Sequence, residues 1–280
     1  MTTISLWIPK FKKIPLWTLL VSISVLFALI SKRIDGVALL LIFILAISTF
    51  FLGNCKIPIP FRILSALFLG ILAIGFGLFG MHPLPNFDNL LILSRVHVSQ
   101  NAIPFSLYLN FDKTIVGIFI LGFLHQRIST KQEWKDLFRN MIPKALVLTF
   151  IILCLSLSIG FGRFDFKISY ILLIWLPTNL LFVCLAEEAF FRGFIQKYLA
   201  QSLQNISYGN GIAIAVASFL FGLSHFTGGP IYILLSTIAG FGYGCIYFKA
   251  QKIEASILAH FFLNTIHILF FTYPALAVST

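Results

Sequence analysis

Charge is scarce in this chain. Charged residues make up 10% of its 280 positions, only nine of them Asp or Glu, while 59% are hydrophobic. That balance excludes a soluble globular domain. Cysteine is sparse too. Cys55, Cys154, Cys184 and Cys245 show no CxxC spacing, so neither a disulfide framework nor a thiolate metal site is expected. Three of the four sit in apolar runs, where a thiol is a small packing residue. No HExxH zinc motif, internal repeat or low-complexity tract is present. Without repeats or paired broken helices, a coupled transporter is disfavoured. The one excess is positive charge, a net +11. In a membrane chain such an excess marks inner loops and contacts with anionic lipid, so no nucleic-acid partner is expected.

What the chain has in abundance is long apolar runs. Spans are expected at about 15–30, 37–53, 61–80, 114–125, 143–162, 168–199, 211–226, 230–248 and 255–273. The expected fold class is therefore all-α: a polytopic transmembrane helix bundle of eight or nine spans, multi-pass in the bilayer, and in the cell membrane if the source is prokaryotic. The fourth run has only about 12 clean apolar residues, short for a full crossing. The sixth is too long for an untilted span, and Pro177 is placed to kink it. Lys10, Lys12 and Lys13 precede the first run, and with no small-residue cleavage site after it an uncleaved span is expected. Fourteen of the twenty Lys and Arg fall on segments that are inner if the N-terminus is inside, which predicts N-in and C-out. The connection 81–113 reads as a surface loop, with a lid or interfacial helix as alternatives. Residues 1–142 are read as N-terminal spans and loops, and 143–280 as the functional bundle.

Polar residues inside apolar helices are costly and persist where they have partners and a use. The sixth run carries Leu185-Ala-Glu187-Glu188-Ala-Phe-Phe-Arg192-Gly193. Glu188 and Arg192 stand at i, i+4 with the acid first, the favourable order for a pair. Glu187 points about 100° away, free for another task. The seventh run ends in Phe221-Gly-Leu-Ser-His225 and the ninth holds His260-Phe-Phe-Leu-Asn264, both again i, i+4. At about 1.5 Å rise per residue, Glu187 lies roughly 18 Å and His225 roughly 21 Å from the inner ends of their helices. His260 lies roughly 8–15 Å in, so all three can meet near mid-membrane if the sixth helix runs on to about 199. A carboxylate and an imidazole sharing a water form a general base; a second His and an Asn amide can hold a developing oxyanion. That combination is suited to peptide hydrolysis without a covalent intermediate. The alternative is zinc on Glu187, His225 and His260, although Asn is an indifferent zinc ligand.

Glu187-Glu188-x-x-x-Arg192, Phe221-x-x-x-His225 and His260-x-x-x-Asn264, in that order on separate helices, resemble the three motifs of the CPBP family. These are the intramembrane type II CAAX prenyl endopeptidases and their bacteriocin-processing and immunity relatives. The resemblance covers about 168–273. It implies that Glu187 and His225 activate water, and that His260 and Asn264 stabilise the oxyanion. Glu188 and Arg192 would orient Glu187. It also implies a membrane-associated peptide or protein substrate and no obligatory cofactor, with zinc as the older description of the family. The competing reading is a non-catalytic immunity or scaffold protein that keeps the polar cluster for structure.

Overall fold

The computed structural model describes residues 1–8, 14–54 and 56–277; Lys10, Lys12, Lys13 and Cys55 lie outside the described residues. The apolar runs form helices because lipid offers backbone N–H and C=O groups no partner but each other. Three helices come first: α1 (Leu16–Ile30), α2 (Gly36–Gly53) and α3 (Ile59–Ala73). Asp35 caps α2 by accepting from the Ala38 N–H at 2.9 Å, which satisfies one of the donors a helix start leaves free. α3 has proline in its first turn, where a missing N–H costs nothing. It runs out in a π-turn over Ile74–Leu78, whose Gly77 has φ +86°, a conformation that glycine enters without penalty.

The connection that follows is not a plain loop. It holds an antiparallel hairpin, β1 (Leu90–Val96) and β2 (Phe105–Leu109), with Leu90 opposite Leu109 and Leu93 opposite Leu107. β2 alternates as a half-buried strand should, with Leu107 inside and Tyr108 outside. β1 lacks that alternation and shifts register twice, which is why its apolar run does not announce a strand. Leu93, Val96 and Phe105 pack on Ile171, Trp175 and Ile268, so the hairpin covers one end of the bundle.

The weak fourth run becomes α4 (Phe111–Leu124). Eleven of its fourteen residues are buried, so it is enclosed by protein on every side, as a helix that is apolar all round should be. It needs no bilayer-spanning length because its surroundings are other helices, α2 and the long α6 (Ile171–Ser202) foremost. Between α4 and α6 in the chain comes α5 (Lys131–Ser158). A capping box opens α5: the Glu133 N–H donates to Thr130 Oγ1, and the Thr130 N–H donates back to the Glu133 carboxylate. Within α6, Pro177 is followed by two π-helical stretches, Asn179–Cys184 and Ala189–Gln196, which flank the short α-helical Leu185–Glu188. π-bulges concentrate at functional sites because each re-aims the side chains that follow it. The remaining helices are α7 (Gly209–Leu223), α8 (Gly229–Ala250) and α9 (Ile253–Phe270).

Among the described residues six helices are long and apolar enough to cross a membrane: α2, α3 with its π-turn, α5, α6, α8 with the turn before it, and α9. α1 and α7 are apolar but shorter. The protein is an integral, multi-pass membrane protein, and six of the nine expected spans have full length by themselves.

Small residues set the closest approaches, as membrane helix packing requires. A Cβ on Gly117 of α4 would stand 2.7 Å from the Ala186 Cα of α6. We therefore expect Gly117→Ala to destabilise the protein by about 1–3 kcal/mol, the usual cost of overpacking. Thermal unfolding in detergent checks this, with Gly36→Ala as the control, since nothing lies within 4 Å of that site. Equal melting of the two variants would mean that the α4–α6 contact is looser than described.

Candidate active site

α6 brings its two glutamates to different neighbours. Glu188 and Arg192 are both 0% exposed, with Oε2 and Nε 3.2 Å apart. The two are close enough for an ion pair but are not aligned as a hydrogen bond. The guanidinium is held from another side, where Nη2 donates to the Gly240 carbonyl of α8 at 2.8 Å, and it lies 4.5 Å from the centre of the Phe221 ring. One turn on, Gln196 donates to the Gly244 carbonyl at 3.0 Å. A Cβ on Gly240 would come within 3.0 Å of Arg192 Nη2, so the absent side chain is what admits the guanidinium.

Glu188 has a second partner, on α9. His260 Nδ1 lies 3.0 Å from Glu188 Oε1. One carboxylate thus ties a guanidinium of its own helix to an imidazole of another. The His260 ring is stacked against Tyr243 at 4.8 Å and meets the edge of Phe221 at 5.6 Å. Its plane is therefore fixed by two aromatic contacts as well as by the carboxylate.

Glu187 turns elsewhere, as its 100° offset requires. Oε1 accepts from Lys113 Nζ of α4 at 3.0 Å, with both side chains buried. Its other oxygen, Oε2, is buried without a hydrogen-bond partner in the protein. His225 and His260 both stand within electrostatic range of Glu187. His225 follows the end of α7, and its Nδ1 donates to the Phe221 carbonyl at 2.8 Å. A carbonyl only accepts, so Nδ1 carries that hydrogen and Nε2 is left as the lone-pair nitrogen. Tyr232 packs edge-on to the ring at 5.2 Å.

Asn264 is one turn beyond His260 on α9. Its Nδ2 donates to Asn179 Oδ1 at 3.3 Å, and Cys184 Sγ shares that acceptor at 3.2 Å. Asn264 Nδ2 also lies 3.7 Å from Cys184 Sγ, so Asn179 and Cys184 together orient the amide, the sulfur being the weaker acceptor.

His225, His260 and Asn264 open together on a cavity of about 70 Å³, whose wall also includes Tyr232, Ser236 and His267. That volume accommodates water, which needs about 10–15 Å³ per site, but not a peptide. Glu187 is not on this wall, nor are Glu188 and Arg192. Another cavity, of about 380 Å³ and lined by Lys144, Lys249 and Lys252, is walled by none of the motif residues.

Five of the six motif residues thus fall in two sets. Glu188 contacts both Arg192 and His260, and Glu187 stands within electrostatic range of His225 and His260, while the sixth, Asn264, contacts Asn179. Among the described residues, no three His, Cys, Asp or Glu side chains converge as the donors of a metal ion would. His260 Nδ1 is engaged by Glu188, and Glu187 Oε1 by Lys113.

Sequence reasoning missed Lys113 and Asn179. Asn179 carries no spacing signal. Lys113 is the only cation within the first turn of α4, and the costliness of a charge beside an apolar run is the clue that could have found it.

Residues 169–266 match the family model described as type II CAAX prenyl endopeptidase Rce1-like. No curated protein and no solved structure matches the chain. The matched stretch runs from just before α6 to two residues past Asn264, and so contains all three motifs. Through this segment the chain is similar to the CPBP, or CAAX-protease-like, family of membrane endopeptidases.

Proposed function

We propose that the protein hydrolyses a peptide bond of a membrane-associated protein or peptide, using water activated by Glu187 and His225. The observation that supports this most is the shared cavity. Three motif side chains, from α9 and the turn after α7, face a volume that takes water, and two of them stand within electrostatic range of Glu187, a buried carboxylate with one unpartnered oxygen. A water between Glu187 and His225 Nε2 would lose a proton to this pair as its oxygen adds to the peptide carbonyl carbon. The developing oxyanion would be held by His260 Nε2–H and by the Asn264 N–H that now faces the weak acceptor Cys184 Sγ. His260 serves as that donor when both ring nitrogens carry hydrogen, Glu188 accepting from Nδ1 while it also pairs with Arg192. When the C–N bond breaks, the proton held by Glu187 and His225 passes to the leaving nitrogen, yielding an amine and a carboxylic acid, whose remaining proton (the second of the water) then returns to the Glu187–His225 pair or to the amine. In this reading Glu188 and Arg192 serve His260 rather than Glu187, a change from the role the family resemblance implies. Residues 143–280 carry the chemistry, and the earlier helices enclose it.

The mechanism needs no metal. Purified protein is expected to carry well under one zinc per chain and to keep its activity after dialysis against a strong chelator. Elemental analysis with chelation and metal add-back tests this. Stoichiometric zinc, with activity lost on removal and restored on return, would replace the Glu–His mechanism with a zinc one. Asn264→Ala should slow turnover by about 10²–10³, the usual worth of one oxyanion donor, with little change in KM. A loss confined to KM would place Asn264 in substrate binding instead.

A further inference from the structure

We infer that Lys113 is a positioning residue of this site: its ammonium holds Glu187 Oε1 and so leaves Oε2 as the oxygen that meets water. The inference rests on the reading of Glu187 as the water-activating carboxylate. Lys113 lies outside the stretch 169–266 that matches the family, so it belongs to what the first half of the chain adds to the site.

The geometry is specific. Lys113 Nζ and Glu187 Oε1 are 3.0 Å apart, with side chains 10% and 11% exposed, while Oε2 has no protein partner. The approach is built into the packing. Gly117, one turn after Lys113, lets the α4 backbone reach Ala186, the residue before Glu187. The start of α4 is pinned as well: Asp112 Oδ1 accepts from the Lys113 N–H at 2.8 Å, Asp112 Oδ2 pairs with His82, and Asn89 Oδ1 accepts from the Phe111 N–H at 2.8 Å.

Helix stability does not explain a lysine there. The N-terminus of a helix carries partial positive charge and favours anions, which Asp112 supplies and Lys113 opposes. Ordering and desolvating a lysine adds a further cost. The contact that offsets these terms is the one to Glu187, an acid that at membrane depth needs a cation beside it to stay ionised. A carboxylate so fixed has one oxygen committed and one free, in a constant direction. Lys113 therefore acts on the reaction only through Glu187.

The test is Lys113→Met and Lys113→Arg in the full-length protein, with turnover of a cleaved substrate as the readout. Lys113→Met should lower kcat by about 10–100-fold, the scale of a displaced catalytic group, with KM within about twofold. Lys113→Arg, which keeps the charge and so protects folding, should recover part of that loss. In a Glu187→Gln background Lys113→Met should cost nothing more, because there is no carboxylate left to position. Infrared difference spectra taken against Glu187→Gln should show an ionised carboxylate in the parent and a protonated one in Lys113→Met at neutral pH; a merely structural role would not move that signal. Parental kcat in Lys113→Met, a rise in KM alone, or a further loss in the Glu187→Gln background would each overturn the inference. If Glu187→Gln itself turns over normally, the functional reading fails; if only Lys113→Met does, this inference fails alone.

Discussion

Glu187→Ala and His225→Ala should each lower peptide hydrolysis by about 10²–10⁴, the range that positioned general bases supply, and the double variant should be little worse than either single one. The two groups are proposed to share one water, and residues that act as a unit show non-additive losses. Both variants should still insert. Glu187 lies outside the Arg192–Glu188–His260 contacts, but Glu187→Ala leaves the Lys113 ammonium without its partner, so Glu187→Gln, which keeps an acceptor there, is the better-folded form of that test. His225 makes its hydrogen bonds to Phe221 and Ser224, close by on the same stretch of chain. The measurement is turnover by purified protein, with melting temperature as the control. Losses that multiply would show that Glu187 and His225 act on separate steps.

Arg192→Ala should be the most destabilising of the site substitutions, by about 3–5 kcal/mol. Removing one partner of a buried pair leaves the other charge uncompensated, and that sets the scale of the loss. Here the stranded group is Glu188, which is 0% exposed, and the carbonyl of Gly240 loses its donor as well. Arg192→Lys should rescue little, because an ammonium cannot reach Glu188, the Gly240 carbonyl and the Phe221 face from one position. Thermal unfolding in detergent reads the effect. A melting point unchanged in Arg192→Ala would contradict the burial of the pair.

The motifs are legible in the sequence because polar residues at i, i+4 stand out in long apolar helices, and rise per residue puts Glu187, His225 and His260 at compatible depths. Their cross-helix partners are not legible. Glu188 pairs with Arg192 by spacing, but its contact with His260 joins α6 to α9, and nothing within either helix encodes it. Lys113 is not legible for a related reason. It opens an apolar stretch too short for a bilayer, which the length rule treats as a partial span. That rule fails for α4 because its surroundings are protein. The hairpin was missed because β1 buries its side chains irregularly through two register shifts, which erases the period of two that marks a strand. The π-helical stretches around Glu187 and Glu188 have no sequence signature here beyond Pro177, yet they set where the two carboxylates point.

The most direct test of proteolysis at Glu187 is a comparison of protein termini in membranes holding equal amounts of the parent protein or of Glu187→Gln. The account predicts that new C-termini, each with a matching new N-terminus downstream, appear in membrane-associated proteins with the parent and are missing with Glu187→Gln. Identical sets of termini in the two membranes, in cells that contain the natural substrate and show the parent's phenotype, would contradict it and favour a structural role for the polar cluster.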